Sequence, residues 1–313
     1  MGQHDEVVGR RRKSLDLKIP AVLEHGQNLV EVVVSNGHAE GRAAARVSAP
    51  EATARTAAPM LPTLWILSIG VDRYDDKQIP SLAYPADDAD AIVDVFRTRE
   101  GRLFGKVNTL VINDKSSTKP TYANILDSLN YLSRAGQYDV ALLFIAGHGF
   151  NDERGDFYFL PSDAALAEDG TLKRSKAVSW RDIKATLDLP AKVLIFVDAC
   201  HSAGVSGRQT RGVDSERLVK ELQEANAVVF TSSRGRELSQ ESASWKHDAF
   251  TYALIQGLSG KADLMKDGRI TMKELDAYVS ELVPQITDGA QHPITYTPEG
   301  YVNFPLSLVK QQQ

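Results

Sequence analysis

The sequence is poor in cysteine. Its 313 residues contain one, Cys200, so no disulfide can close within the chain. No apolar run reaches the roughly 18 residues that a membrane helix needs. The basic cluster Arg10-Arg11-Arg12-Lys13 is not followed by an apolar stretch of roughly 7–15 residues, so no signal peptide is expected and the cytoplasm is the default location. Basic charge is not in excess either. Lys and Arg number 36 against 41 Asp and Glu, a net charge of −5, which gives no general attraction to nucleic acid. The basic cluster then reads as a solvated tail. No glycine-rich phosphate loop follows the first apolar run. That run passes into "GVDRYDD", whose one glycine and many acids repel phosphate and argue against a flavodoxin-like ligand-binding domain.

What is present is a hydrophobic fraction of 42% and a charged fraction of 25%, ordinary values for a globular chain with room for one large domain or two smaller ones. Residues 1–17 read as a disordered polar tail. Residues 18–47 alternate around Leu29–Val34 and carry a turn signal, "SNG" at 35–37, which predicts a β-hairpin or part of a β-sandwich. Residues 48–62, rich in Ala, Pro and Thr, read as a linker. From residue 63 to 313 the pattern changes. The runs "LWILSIGV", "NTLVIN", "VALLFIAG", "KVLIFVD" and "AVVFTSS" are continuously apolar, and amphipathic stretches at 85–99, 121–135, 180–189 and 249–260 lie between or after them. Strands buried on both faces and interleaved with helices predict an α/β fold, a mostly parallel sheet sandwiched by helices. Such sheets carry their sites beyond the carboxyl ends of the strands.

Two such ends hold chemistry. His148-Gly149 follows "ALLFIAG", and Cys200 follows "VLIFVDA" 52 residues later. A thiolate is a strong nucleophile, and a nearby histidine can hold it ionised and later protonate a leaving amine. The amides of Gly149 and Cys200 are the candidate oxyanion donors. A lone cysteine at a strand end is more often a small buried residue; finding the histidine at a second strand end favours the catalytic alternative.

"LLFIAGHG" and "VLIFVDACHSAG" together resemble the His-Gly and Asp-x-Cys signatures of caspase-like cysteine peptidases, nearest to the metacaspase and bacterial orthocaspase branch. An alanine is inserted in the tail Cys200-His201-Ser202-Ala203-Gly204. "LSIGVDRYDD…IPSLAYPADDADAIVDVF" and "FTSSRGRELSQES…HDAFTYALIQGLSG" extend the likeness, which covers Leu64 to Leu306. It implies a caspase-like fold, His148 as base, Cys200 as nucleophile, protein or peptide substrates, and a monomer. His201, adjacent to the nucleophile, is not expected to act.

The resemblance also implies cleavage after Arg, then Lys, through paired acids. Asp198 shares a strand face with residue 200 by the two-residue period. Asp88 in "YPADDADA" matches the second acid, with Asp87 the alternative. Two carboxylates suit a guanidinium. The other readings are a strand-end carboxylate for Asp198 and a dipole-favoured first helical turn for Asp88. Ser232 and Ser233 in "FTSS" are expected at a backbone edge that pairs with an extended peptide. Arg208 and Arg211, in the glycine-rich segment after Cys200, are candidate self-cleavage sites.

No metal ligand set is assigned and no cofactor is expected. "ADLMKDGRITMKEL" places Asp263, Asp267, Gly268, Ile270 and Glu274 at positions 1, 5, 6, 8 and 12 of a calcium-loop pattern, but Met265 sits at position 3. A capping box from Thr271 to Glu274 explains more of it. Asp152, Glu153 and Asp156 are the looser candidates for calcium activation. The rival to an enzyme is a non-catalytic interaction module of the same fold.

Overall fold

The computed structural model describes residues 26–35, 40–49, 61–152, 156–201, 227–233, 237, 239–298 and 300–309. The chain divides into two units, Met1–Met60 and Leu61–Gln313. In the first, strands β1 (Gly26–Ser35) and β2 (Glu40–Ala49) pair antiparallel from Gly26↔Ala49 to Ser35↔Glu40. The turn expected at 35–37 falls mostly outside the described residues, as do the tail at 1–17 and most of the linker.

The second unit is built on one sheet. Its strands are β3 (Thr63–Gly70), β4 (Lys106–Asn113), β5 (Val140–Asn151), β6 (Phe157–Phe159), β7 (Val178–Ser179), β8 (Lys192–His201) and β9 (Ala227–Thr231). Two short strands form a hairpin, β10 (Glu241–Ser242) and β11 (His247–Asp248), and β12 (Arg269–Thr271) precedes β13 (Ile294–Tyr296) and β14 (Pro305–Leu308). The spatial order is β13-β9-β8-β5-β3-β4. β4, β3, β5, β8 and β9 run parallel, and β13 closes the edge antiparallel to β9. The helices are α1 (Pro85–Arg97), α2 (Tyr122–Leu129), α3 (Trp180–Ala185), α4 (Ala249–Gln256) and α5 (Met272–Ile286).

The continuous apolar runs follow from burial on both faces. Leu142, Phe144, Leu194, Phe196, Val228 and Phe230 pack under α1, α4 and α5. Their sequence neighbours Leu143, Ile145, Ile195, Val197 and Val229 point the other way, under α2 and α3. Period-2 geometry thus fills two cores from each strand. Helix ends carry local signals: Thr121 accepts from the Asn124 amide, and Ser179–Asp182 and Thr271–Glu274 form capping boxes. α1 starts at Pro85, where a missing N–H costs nothing, and carries Asp87 and Asp88 in its first turn.

Gly70, at the end of β3, lets α1 reach the sheet. A Cβ there would sit 2.2 Å from the Pro85 carbonyl oxygen. That close approach sets where the first turn of α1, and so Asp88, is held.

Candidate active site

The parallel pairing of β5 with β8 puts His148 opposite Cys200 and Gly149 opposite His201. The two strand ends singled out in the sequence are therefore adjacent strands of one sheet. Gly147, just before the histidine, has φ +148°, a conformation that residues with a side chain rarely adopt.

His148 is 4% exposed. Three contacts fix its ring. Nε2 lies 2.9 Å from the Pro80 carbonyl oxygen. The ring stacks on Tyr74 at 5.1 Å between centroids. The His148 amide donates to the Tyr74 hydroxyl at 2.9 Å. A carbonyl can only accept, so Nε2 carries the hydrogen and the neutral ring has its lone pair on Nδ1. Nδ1 is buried and has no hydrogen-bond partner among the described residues. Burial lowers the pKa of His148, and the Pro80 carbonyl opposes the shift. The loop that carries Pro80 is held from outside by Glu241, whose carboxylate accepts from the amides of Ala83 at 3.1 Å and Tyr84 at 3.3 Å.

A second cluster is built from the opposite helical layer. Asp198 continues the Leu194-Phe196 face of β8 and is 2% exposed; Asp88 on α1 is 1% exposed. Asp198 Oδ2 accepts from Thr251 Oγ1 on α4 at 2.6 Å, and the Ser232 hydroxyl also lies within reach of this carboxylate. Asp88 meets His247 Nδ1 at 2.5 Å and accepts from the Asp248 amide at 3.3 Å. Asp248 caps α4 by accepting from the Phe250 amide at 3.1 Å, and its carboxyl lies close enough to that of Asp198 for each to perturb the other.

Burial, then the Asp88 charge, pushes Asp198 up to about 7. Burial pushes Asp88 up to about 6, against the lowering effect of His247. Burial, then the Asp198 charge, holds Asp248 well above the ordinary carboxylate value. Three buried carboxyls, one of them paired with an imidazole, form a concentrated acidic site.

The structure thus brings Asp88, Asp198 and Ser232 together, and it separates Asp87, which pairs with Lys115 on the surface. At "FTSS" the first two residues are already paired. Phe230 and Thr231 pair with Thr295 and Ile294 of β13. The Ser232 amide donates to Val197 and its hydroxyl meets that of Ser239 at 2.9 Å, so only the chain from Ser233 onward lies beyond this pairing. Gly149 pairs with Phe159 of β6. Arg208, Arg211 and Glu153 lie outside the described residues.

In the calcium-like loop the carboxylates serve the backbone. Asp263 accepts from the amides of Asp267 and Gly268, and Glu274 from those of Thr271 and Met265. Asp152 accepts from the Asp156 amide and pairs with Arg174.

Asp248 and His247 were not singled out in the sequence. "HDAFTYAL" carries a capping Asp as its local signal, but nothing local shows that this residue faces Asp198, 50 positions upstream.

The sequence profile of the caspase domain matches residues 64–300. Among solved structures, a protein from Geobacter sulfurreducens superposes with a TM-score of 0.53 at 18% identity, over 77% of this chain and 95% of its own. Caspase-1 from Spodoptera frugiperda gives a TM-score of 0.49 at 13% identity, over 81% and 93%. At these identities the first likeness is one of fold, and the second carries no further weight. No curated protein sequence matches the chain.

Proposed function

The chain belongs to the caspase-domain family of cysteine peptidases, and from that premise we propose that it is an endopeptidase in which His148 and Cys200 form the catalytic pair and basic residues precede the scissile bond. The adjacency of His148 and Cys200 across β5 and β8 carries this reading. Nδ1 of His148 takes the thiol proton, because Nε2 is committed to the Pro80 carbonyl. The thiolate adds to the peptide carbonyl, and the amides of Gly149 and Cys200 are the proposed oxyanion donors at the ends of their strands. The imidazolium then protonates the leaving amine, and water hydrolyses the acyl-enzyme.

The acidic cluster supports the specificity. A guanidinium entering between Asp88 and Asp198 would meet two carboxylates suited to bidentate bonds. The proposed preference goes with a resemblance to the metacaspase and bacterial orthocaspase branch, which the Cys-His-Ser tail after Asp198 supports. Self-processing at Arg208 or Arg211 follows from the same specificity. Among the described residues no helix is long and apolar enough to cross a membrane.

The test is a set of fluorogenic peptides differing only in the residue before the scissile bond. Arg is expected first and Lys second, with Cys200→Ala inactive and folded. Preference for Asp would overturn the specificity. Turnover that survives Cys200→Ala would overturn the catalytic assignment, and a folded wild type without turnover would favour a non-catalytic module.

A further inference from the structure

Gln291, between α5 and β13, is fully buried, and its side chain bonds to main chain at both ends. Its Nε2 donates to the Ser232 carbonyl at 2.8 Å, and its Oε1 accepts from the Gln240 amide at 2.9 Å. A carbonyl only accepts and an amide N–H only donates, so these partners fix the orientation of the side-chain amide. A buried amide costs free energy unless its polar atoms are bonded, and both are bonded here. The Gln291 main-chain amide donates to Thr287 Oγ1 at 3.2 Å, and that hydroxyl donates to the Val283 carbonyl at 2.8 Å. Residue 291 is thereby fastened to the end of α5.

Two chain segments meet on this side chain, and each supports one of the two acids. Ser232 follows β9. Its amide donates to the Val197 carbonyl at 2.9 Å, one step beyond the Val197↔Thr231 pair, so it lies beside Asp198 of β8. Gln240 precedes β10, and its carbonyl accepts from the Ala249 amide at 2.9 Å, at the start of α4. The next residue, Glu241, accepts from the amides of Ala83 and Tyr84, directly ahead of the α1 turn that carries Asp88. The Ser232 and Ser239 hydroxyls meet at 2.9 Å and close the same junction a second time. His292 adds a further point, its amide and Nδ1 lying 2.6 and 2.8 Å from the two Glu237 oxygens.

We propose that Gln291 is a positioning residue for substrate specificity: by tying Ser232 to Gln240 it sets where Asp198 stands relative to Asp88. This rests on the reading of the two acids as the pocket for the basic residue before the scissile bond. Gln291 acts through Ser232 on one side and through Gln240 and Glu241 on the other, rather than on the substrate.

The two basic side chains feel such a change differently. A guanidinium is a rigid planar fork and needs its carboxylates at matched positions. An ammonium is a compact charge on a flexible stem and tolerates a displaced partner. A shift of one acid against the other therefore penalises Arg more than Lys. A general loss of stability penalises both alike.

The experiment measures kcat and KM of wild type, Gln291→Met and Glu241→Ala on fluorogenic peptides that differ only in carrying Arg, Lys or Asp before the scissile bond, with a thermal melt of each protein. Gln291→Met keeps the length of the side chain and removes both bonds. Its Arg-over-Lys ratio of kcat/KM should fall several-fold, through a higher KM for the arginine peptide, with kcat within about twofold of wild type. Glu241 is only half-buried, so Glu241→Ala should fold, with a smaller fall in the same ratio. It decides the matter if Gln291→Met melts below the assay temperature. A ratio unchanged in folded Gln291→Met, or in Glu241→Ala where that variant alone folds, overturns the role of Gln291 and leaves the pocket in place. Equal losses on the Arg and Lys peptides do the same. Wild type that cleaves neither basic peptide, or prefers the Asp peptide, removes the pocket and the positioning role with it.

Discussion

Nε2 of His148 is bonded to the Pro80 carbonyl at 2.9 Å, across 68 residues of sequence. This bond selects the tautomer. It leaves Nδ1 as the proton acceptor on a ring that is otherwise held by Tyr74. Tyr74 does two things at once: its ring stacks on the imidazole, and its hydroxyl accepts from the His148 amide. Tyr74→Phe keeps the stack and strips the acceptor from a buried N–H. The expected cost is about 1–3 kcal/mol of stability. The kcat should fall about tenfold, the equivalent of about 1.4 kcal/mol in the barrier, with KM nearly unchanged. Steady-state kinetics beside a thermal melt check this. A loss confined to KM would show that Tyr74 does not act through His148.

If His148 is the base, the pH dependence of kcat/KM reports the same ring in the free enzyme. Burial disfavours the imidazolium, so His148 titrates below its ordinary value of 6.5. The base is active when neutral, above that depressed pKa. The acid limb of kcat/KM should therefore lie below pH 6.5, with a plateau already reached at neutrality. A limb displaced above 6.5 would mean that a negative charge faces the ring, which no described contact of His148 supplies.

The sheet was legible because its strands are buried on both faces, and "LLFIAGHG" and "VLIFVDAC" show that as unbroken apolar runs ending in the candidate residues His148 and Cys200. Pairing of β5 with β8 was only a supposition from order, since adjacency of parallel strands leaves no local mark. Asp198 was legible by the two-residue period that puts it on one strand face with residue 200. Asp88 was recognised through resemblance, and its separation from Asp87 needed the helix to be placed: one turn of α1 sends Asp87 to Lys115 and Asp88 to His247. Pro80, His247 and Asp248 were not legible. Each works through a contact with a residue dozens of positions away, and their local signals, a loop proline and a helix cap, are complete explanations in themselves. The covering of Phe230 and Thr231 by β13 leaves no local mark either, because β13 comes 63 residues after the strand it covers.

The acid cluster should weaken the fold that carries it. The pKa of Asp198 is raised from 3.8 to about 7 on folding, so between those values the folded protein holds a proton that the unfolded chain has released. Stability must then fall as pH rises through that window. Asp198→Asn removes the charge and the repulsion from Asp88. It should unfold at a higher temperature than the wild type at pH 8, by roughly 5 °C for about 2 kcal/mol. The gap should close as pH falls toward 4, and cleavage after Arg should be lost. Thermal melts across pH 4–8 test it. A variant less stable than the wild type at pH 8 would mean that Asp198 is held as a compensated anion.

Self-processing gives a test independent of peptide substrates. If the segment holding Arg208 and Arg211 is cut by the enzyme's own pocket, purified wild type should show two chains whose masses place the break after one of them. Cys200→Ala and Asp198→Asn should each remain whole. One intact species in the wild type would exclude this route. Two chains in Cys200→Ala would assign the cut to another protease.

Two glycines hold the two halves of the proposed site. Gly147 adopts φ +148° immediately before His148, and a Cβ there would press on the Phe159 ring and the Tyr74 hydroxyl, each at 3.2 Å. Gly147→Ala should cost about 1–3 kcal/mol in backbone strain. It displaces the histidine, so the loss should appear in kcat. Gly70 has no such dihedral demand. A Cβ there collides with backbone, the Pro85 carbonyl at 2.2 Å, and backbone cannot rotate away. Gly70→Ala should lift the first turn of α1 from the sheet at a cost of about 1–3 kcal/mol. Asp88 rides on that turn, so KM for arginine peptides should rise several-fold while kcat changes less. Measuring both constants for both variants with one arginine peptide checks the division. Equal losses in kcat and KM for the two would show that the base and the pocket are held by a single element, rather than by the ends of two different strands.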